Sequence, residues 1–172
     1  MLPYEKTILV YGATGLRRTD IPKSNDFDGF ALLLENIINN NIGDAMYNLG
    51  IFYEHGYLEL GIVPDEDKAT YWYWRAAREN HLGGMYYYGN RLVAHSNAGE
   101  DKELQKKGFD YMKKAADGGF PRAQFMVGLA YKLGIVDEQD YQKALFYLRK
   151  ASLAGETEAD EIIQEINRIL KT

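Results

Sequence analysis

The stretch Asp44–Gly56, DAMYNLGIFYEHG, sets a small residue at Ala45, the pair Leu49-Gly50, then Tyr53, and closes on Gly56. Its apolar positions recur at helical spacing, and its last glycine suits the left-handed residue that ends a helix. The skeleton returns at Gly84, Tyr88-Gly89 and Leu92, and again at Ala123, Val127-Gly128, Tyr131 and Gly134. Ala45, Gly84 and Ala123 stand 39 residues apart, and a fourth start, Ala159, follows after another 36. Repeats of this length without an internal strand imply stacked helical hairpins.

A second helix follows each first one. The second helices carry Lys68-Ala69, Trp72-Tyr73 and Ala76-Ala77, then Tyr111, Met112 and Ala115-Ala116, then Lys143-Ala144, Tyr147 and Ala151-Ser152. They end near Asn80, at Gly118-Gly119 and at Gly155. Small residues let antiparallel helices approach, while Leu49, Tyr53 and Trp72 fill the space between hairpins. Counting back 39 residues from Ala69, Trp72 and Ala76 gives Phe30, Leu33 and Ile37, so the helix after Ser24-Asn25-Asp26 is the second half of a degenerate earlier unit. The last helix puts Ala159, Ile162, Ile163, Ile166, Ile169 and Leu170 on one face, as a cap on the stack would. The expected fold is an all-α solenoid of antiparallel hairpins. Its parts are an N-terminal arm (1–25), a helical repeat domain (26–172) with a half repeat (26–42), repeats at 43–81, 82–120 and 121–156, and a capping helix (157–172).

On these residues the chain resembles the Sel-one-like repeat family, relatives of the tetratricopeptide solenoids. Repeats one and three match its pattern closely, as AMYNLGIFYEHG with DKATYWYWRAA and AQFMVGLAYKLG with QKALFYLRKAS. Repeat two departs from it: Gly84 replaces the small Ala, His95 stands at the closing Gly, Gly108 replaces the Ala of Lys-Ala, and a long polar loop is expected over His95–Leu104. The resemblance implies an adaptor that holds other proteins and has no shared catalytic site. It also implies a narrower possibility, since small bacterial members include immunity proteins that neutralise a cognate toxin.

Composition narrows the chemistry. The net charge is −5, with no dense basic block, which argues against a nucleic-acid partner. No run of about 18 apolar residues occurs, so no membrane span is expected, and the chain reads as cytoplasmic. The absence of cysteine excludes disulfides and thiolate sites. His55, His81 and His95 are scattered, each read at a helix end where a cation suits the dipole, and no catalytic histidine or P-loop motif occurs. No metal or cofactor is expected. One stretch has an enzyme reading: Thr7–Tyr11 followed by Gly12-Ala13-Thr14-Gly15, like the start of a dinucleotide-binding unit. Its context opposes that reading, because Arg18 stands where a third glycine belongs and Pro22 disfavours the helix that should follow.

The aromatics exceed what the skeleton uses: 14 tyrosines and two tryptophans, including Tyr86-Tyr87-Tyr88 in a row. Aromatic side chains supply large contact area at low entropic cost. If first helices line the concave face of such a solenoid, their non-skeleton residues are the candidate surface. These are Tyr47, Asn48, Phe52 and His55, then Tyr86, Tyr87, Asn90 and Arg91, then Gln124 and Lys132. The expected function is a non-catalytic protein-binding module whose partner is another protein. Its narrower form is an immunity protein steered onto a basic toxin; the alternative is an adaptor in a signalling or envelope pathway. The oligomeric state is left open.

Overall fold

The computed structural model describes residues 42–56, 63–96, 101–135 and 138–171. The arm 1–25 with its Gly12–Gly15 loop, and the half repeat up to residue 41, lie outside the described residues. Among those described, seven α-helices occur and no strand: α1 (Ile42–His55), α2 (Glu66–Arg78), α3 (Leu82–His95), α4 (Lys102–Asp117), α5 (Pro121–Leu133), α6 (Tyr141–Leu153) and α7 (Glu158–Ile169). They fall into two compact units, divided in sequence between Gly84 and Met85.

In the first unit α1 and α2 form an antiparallel hairpin. The Asp65 N–H beside the start of α2 donates to Tyr53 O near the end of α1 at 2.7 Å, while His81, just past α2, meets Asp44 at the start of α1 at 2.8 Å. Asp65 also N-caps α2, its carboxylate accepting the Lys68 N–H at 3.0 Å, which satisfies one of the orphan donors of the first turn. The hairpin closes tightly because Gly50 has no side chain: a Cβ there would lie 2.5 Å from the Tyr73 ring. Met46, Leu49, Tyr53, Trp72 and Tyr73 are buried along the seam with Ala45, Ala69, Ala76 and Ala77. Burial of such side chains stabilises by about 1.5–3 kcal/mol each.

The second unit repeats this chemistry. Asp140 N–H donates to Tyr131 O at 2.9 Å and the Asp140 carboxylate caps α6 through Lys143 N–H, the counterparts of Asp65, Tyr53 and Lys68. Gly128 takes the place of Gly50, with a Cβ there 2.7 Å from Leu148 Cγ. Between α3 and α4 the backbones themselves meet: a Cβ on Gly89 would lie 2.5 Å from Gly108 O, and one on Gly108 2.6 Å from Gly89 O. Gly108, which departs from the Lys-Ala pattern, is therefore what allows that approach. The long polar loop expected over His95–Leu104 is shorter than that. Asp101 N-caps α4, accepting the Leu104 N–H at 2.9 Å, so the second helix of repeat two begins at Lys102. Helix α7 packs on α6 and buries Ala159 and Ile166, leaving Ile169 and Leu170 exposed.

Candidate interaction surface

On α1 the buried positions Ala45, Met46, Leu49, Gly50 and Tyr53 take one side of the helix. By helical period, Asn48, Ile51 and His55 stand on the other side, with Phe52 at its edge. The 39-residue register carries these four places to Tyr87, Asn90, Arg91 and Ala94 on α3, and to Met126, Leu129, Ala130 and Leu133 on α5. The only fully charged side chain among these twelve is Arg91. Asn90, Ala94, His55 and Leu133 are exposed, Ala130 is buried, and the others are half-buried. Asn48 donates from Nδ2 to Asp44 O at 2.9 Å, one turn back along the helix, which holds its amide in place.

The other candidate residues lie elsewhere. Tyr47 stands on the opposite edge of α1, half-buried, with its ring 6.1 Å from Tyr73 and 4.7 Å from the His81 ring. Gly83 passes directly against it, since a Cβ there would come within 2.8 Å of the Tyr47 ring. Tyr86, the register equivalent of Tyr47, is only 6% exposed and lies 5.4 Å from the Phe120 ring. Burial pushes its phenol pKa up, partly offset by the Arg122 guanidinium. Gln124 is 5% exposed and donates from Nε2 to Ala116 O at 3.2 Å, satisfying a carbonyl at the end of α4. Gln124 and Tyr86 are thus internal and offer no contact surface, contrary to their sequence-based placement. Lys132 is paired with Glu165 of α7 at 2.5 Å.

A signal for Gln124 was present in the register: it stands 39 residues after Met85 and 78 after Met46, and both methionines are buried. The same register brings in Ile51, Met126, Leu129 and Leu133, which polarity and aromaticity alone do not single out.

The histidines divide. His55 and His95 stand in the last turns of α1 and α3. His81 does not fit the reading of a cation at a helix C-terminus. It precedes α3 and caps its start, its Nδ1 accepting the Gly84 N–H at 3.1 Å while Nε2 faces Asp44 Oδ1 at 2.8 Å. An accepting Nδ1 requires the neutral ring with its proton on Nε2. Burial lowers the His81 pKa, and the Asp44 carboxylate offsets this only in part.

Among the described residues no cluster of three or more histidine or acidic side chains is arranged to hold a metal ion. No described helix is long and apolar enough to cross a membrane. What these helices present, within each unit, is a set of contact positions among which Arg91 alone is fully charged.

The Sel1 repeat family matches residues 43–81, 79–120 and 121–156. The chain is 30% identical over 127 residues to chitin synthase regulatory factor 3 of Schizosaccharomyces pombe, covering 70% of this chain and 13% of that protein. It is 29% identical over 129 residues to HRD3B, an ERAD-associated E3 ubiquitin-protein ligase component of Arabidopsis thaliana, covering 75% of this chain and 19% of that protein. The chain thus spans less than a fifth of the length of either curated relative. Among solved structures, a Sel1 repeat protein from Oxalobacter formigenes superposes with a TM-score of 0.62 at 26% identity, covering 78% of this chain and 96% of that one. A protective antigen of uropathogenic Escherichia coli with the same repeat fold superposes with a TM-score of 0.65 at 24% identity, covering 96% of this chain and 33% of that one. Sel1 repeats are a non-catalytic protein-interaction scaffold. With three consecutive repeats matched and every described element a helix of such a repeat or its continuation, the chain belongs to the Sel1 repeat family.

Proposed function

We propose that this chain is a non-catalytic module that holds another protein, each unit offering its own contact: in the first the side of α1 that carries Asn48, Ile51, Phe52 and His55, and in the second the sides of α3 and α5 that carry Tyr87, Asn90 and Arg91, and Met126, Leu129 and Leu133. The observation that carries the reading is the charge content of those positions. A solvated helix side normally carries rows of charge. Here rings, amides, methionine and leucine stand in its place with one arginine, the composition of an interface centre. The curated relatives are, by name, a regulatory factor for one enzyme and a component of another. Those names favour an adaptor or regulator.

The narrower reading is an immunity protein. It draws on the family resemblance and on the net charge of −5, which would steer the chain onto a basic toxin. Coexpression with the product of the neighbouring gene tests both readings. The expected outcome is a complex that survives size exclusion and is weakened about tenfold or more by Phe52→Ala with Tyr87→Ala, the helical circular dichroism being unchanged. A complex indifferent to both substitutions would place the contact elsewhere. Failure of the chain to restore growth against a toxic neighbour would remove the immunity reading and leave the adaptor.

A further inference from the structure

The second helices carry a different chemistry. On α2, Tyr71 is 42% exposed, and the Arg75 guanidinium lies 5.8 Å from its ring centroid and donates to its hydroxyl at 2.9 Å. One turn on, Arg78 lies 5.2 Å from the Trp74 ring. The register of the second helices maps Tyr71, Trp74, Arg75 and Arg78 onto Phe146, Arg149, Lys150 and Leu153 of α6. Phe146 is 53% exposed with Lys150 Nζ 4.4 Å from its ring centroid, and Leu153 is 89% exposed. The same arrangement, an exposed ring with a cation stacked on it four residues later, is therefore built in each of the two units.

These cations differ from others in the chain. Lys68, Lys113, Arg122, Lys132 and Lys143 are each within ion-pair distance of a carboxylate. Arg75, Arg78, Arg149 and Lys150 have no carboxylate within 4.0 Å among the described residues, although the charge of Lys150 is felt by Asp117, in a chain where carboxylates outnumber cations by 25 to 20. A cation held over a ring keeps its charge outward and its stem immobilised, so it meets an incoming anion with less entropy left to lose.

We propose that the outer sides of α2 and α6 dock an acidic segment of another protein, its carboxylates meeting Arg75 and Arg78 on one helix or Arg149 and Lys150 on the other. Its apolar residues lie against Tyr71 or Phe146. A protein segment fits better than a nucleic acid or an anionic membrane. The net charge of −5 repels an extended polyanion at long range, whereas a few carboxylates backed by apolar side chains match both the cations and the exposed rings. This surface shares no residue with the one proposed on the first helices.

The test is an NMR titration of the full chain with a synthetic peptide of glutamate and leucine at helical spacing. Oligothymidylate and phosphatidylserine vesicles serve as competing anions. The expected result is shift changes centred on Tyr71–Arg78 and Phe146–Leu153, weakening as salt is added. Arg75→Glu with Arg78→Glu should weaken binding at α2 about tenfold, and Arg149→Glu with Lys150→Glu should do the same at α6. The charge-removing pairs Arg75→Gln with Arg78→Gln and Arg149→Gln with Lys150→Gln give smaller losses in the same order, and Lys102→Gln, an exposed cation on α4, gives none. Shifts centred on other helices, affinity unchanged in the charge variants, or oligothymidylate or vesicles binding as tightly as the peptide would each overturn the proposal.

Discussion

At Gly50 one missing methyl group sets the spacing of a hairpin. The Tyr73 ring occupies the volume a Cβ would need, and that ring is itself tied by its hydroxyl to Glu54. Gly50→Ala should therefore destabilise by about 1–3 kcal/mol, the usual cost of overpacking, as a lowered midpoint in urea with unchanged slope. Thr70 presents the opposite opportunity. Its Oγ1 is buried without a hydrogen-bond partner among the described residues, and the register equivalents are the buried Phe109 and Leu145. Thr70→Val should raise stability by about 1 kcal/mol in the same assay, because it removes a polar atom that folding strips of water. His81 sets a pH dependence. The folded chain holds its ring neutral more firmly than the unfolded chain, so below the ordinary imidazole value of 6.5 the unfolded chain binds more protons. Its contribution is full above that pH and is lost as pH falls below it. His81→Asn retains a side-chain oxygen that can cap α3 and does not titrate. The fall in Tm between pH 7 and pH 5 should be smaller in this variant than in the parent.

At the scale of the element, the helices differ in how much they bury. Helix α5 buries Ala123, Gln124, Phe125, Val127, Gly128, Ala130 and Tyr131, whereas α7 buries only Ala159 and Ile166. Local opening follows the apolar surface it exposes. Amide hydrogen exchange should therefore release α7 well before α5, with protection in α7 resting on Ile166. Substituting Ile166 by Ala should bring its amides close to free exchange while α5 keeps its protection. The pairs Arg122–Glu156 and Arg122–Glu158, at 3.2 and 3.3 Å, and Lys132–Glu165 tie α7 and its approach to α5. Each pair keeps at least one partner open to solvent, and such pairs stabilise by only about 0–1 kcal/mol each, so they orient α7 more than they hold it.

At the scale of the whole molecule, the repeat itself was legible because its architecture rests on steric necessities. Gly50, Gly89 and Gly128 are 39 residues apart and all three sit where a neighbouring helix leaves no room for a Cβ. The candidate surface was less legible. Polarity suggested that Gln124 faces solvent, yet an amide in a helical seam can serve a neighbouring helix end, and only alignment with Met46 and Met85 reveals its side. His81 read as one more basic residue near a helix end, because the sequence does not say which helix it caps. The pairing of Lys132 with Glu165 spans 33 residues and leaves no local signature.

The chain has two tryptophans, Trp72 and Trp74, and both lie on α2 in the first unit. Intrinsic fluorescence excited in the indole band is therefore a spectroscopic probe of that unit alone. The emission should resolve into two populations under acrylamide. Trp72, 1% exposed, should resist quenching, and the half-buried Trp74 beneath Arg78 should be quenched first. A ligand that dims or shifts this signal reports on α2 and its surroundings. One that binds the second unit without touching the first would be silent in that channel and needs an indole placed there, for which the exposed ring position Phe146 is a ready host.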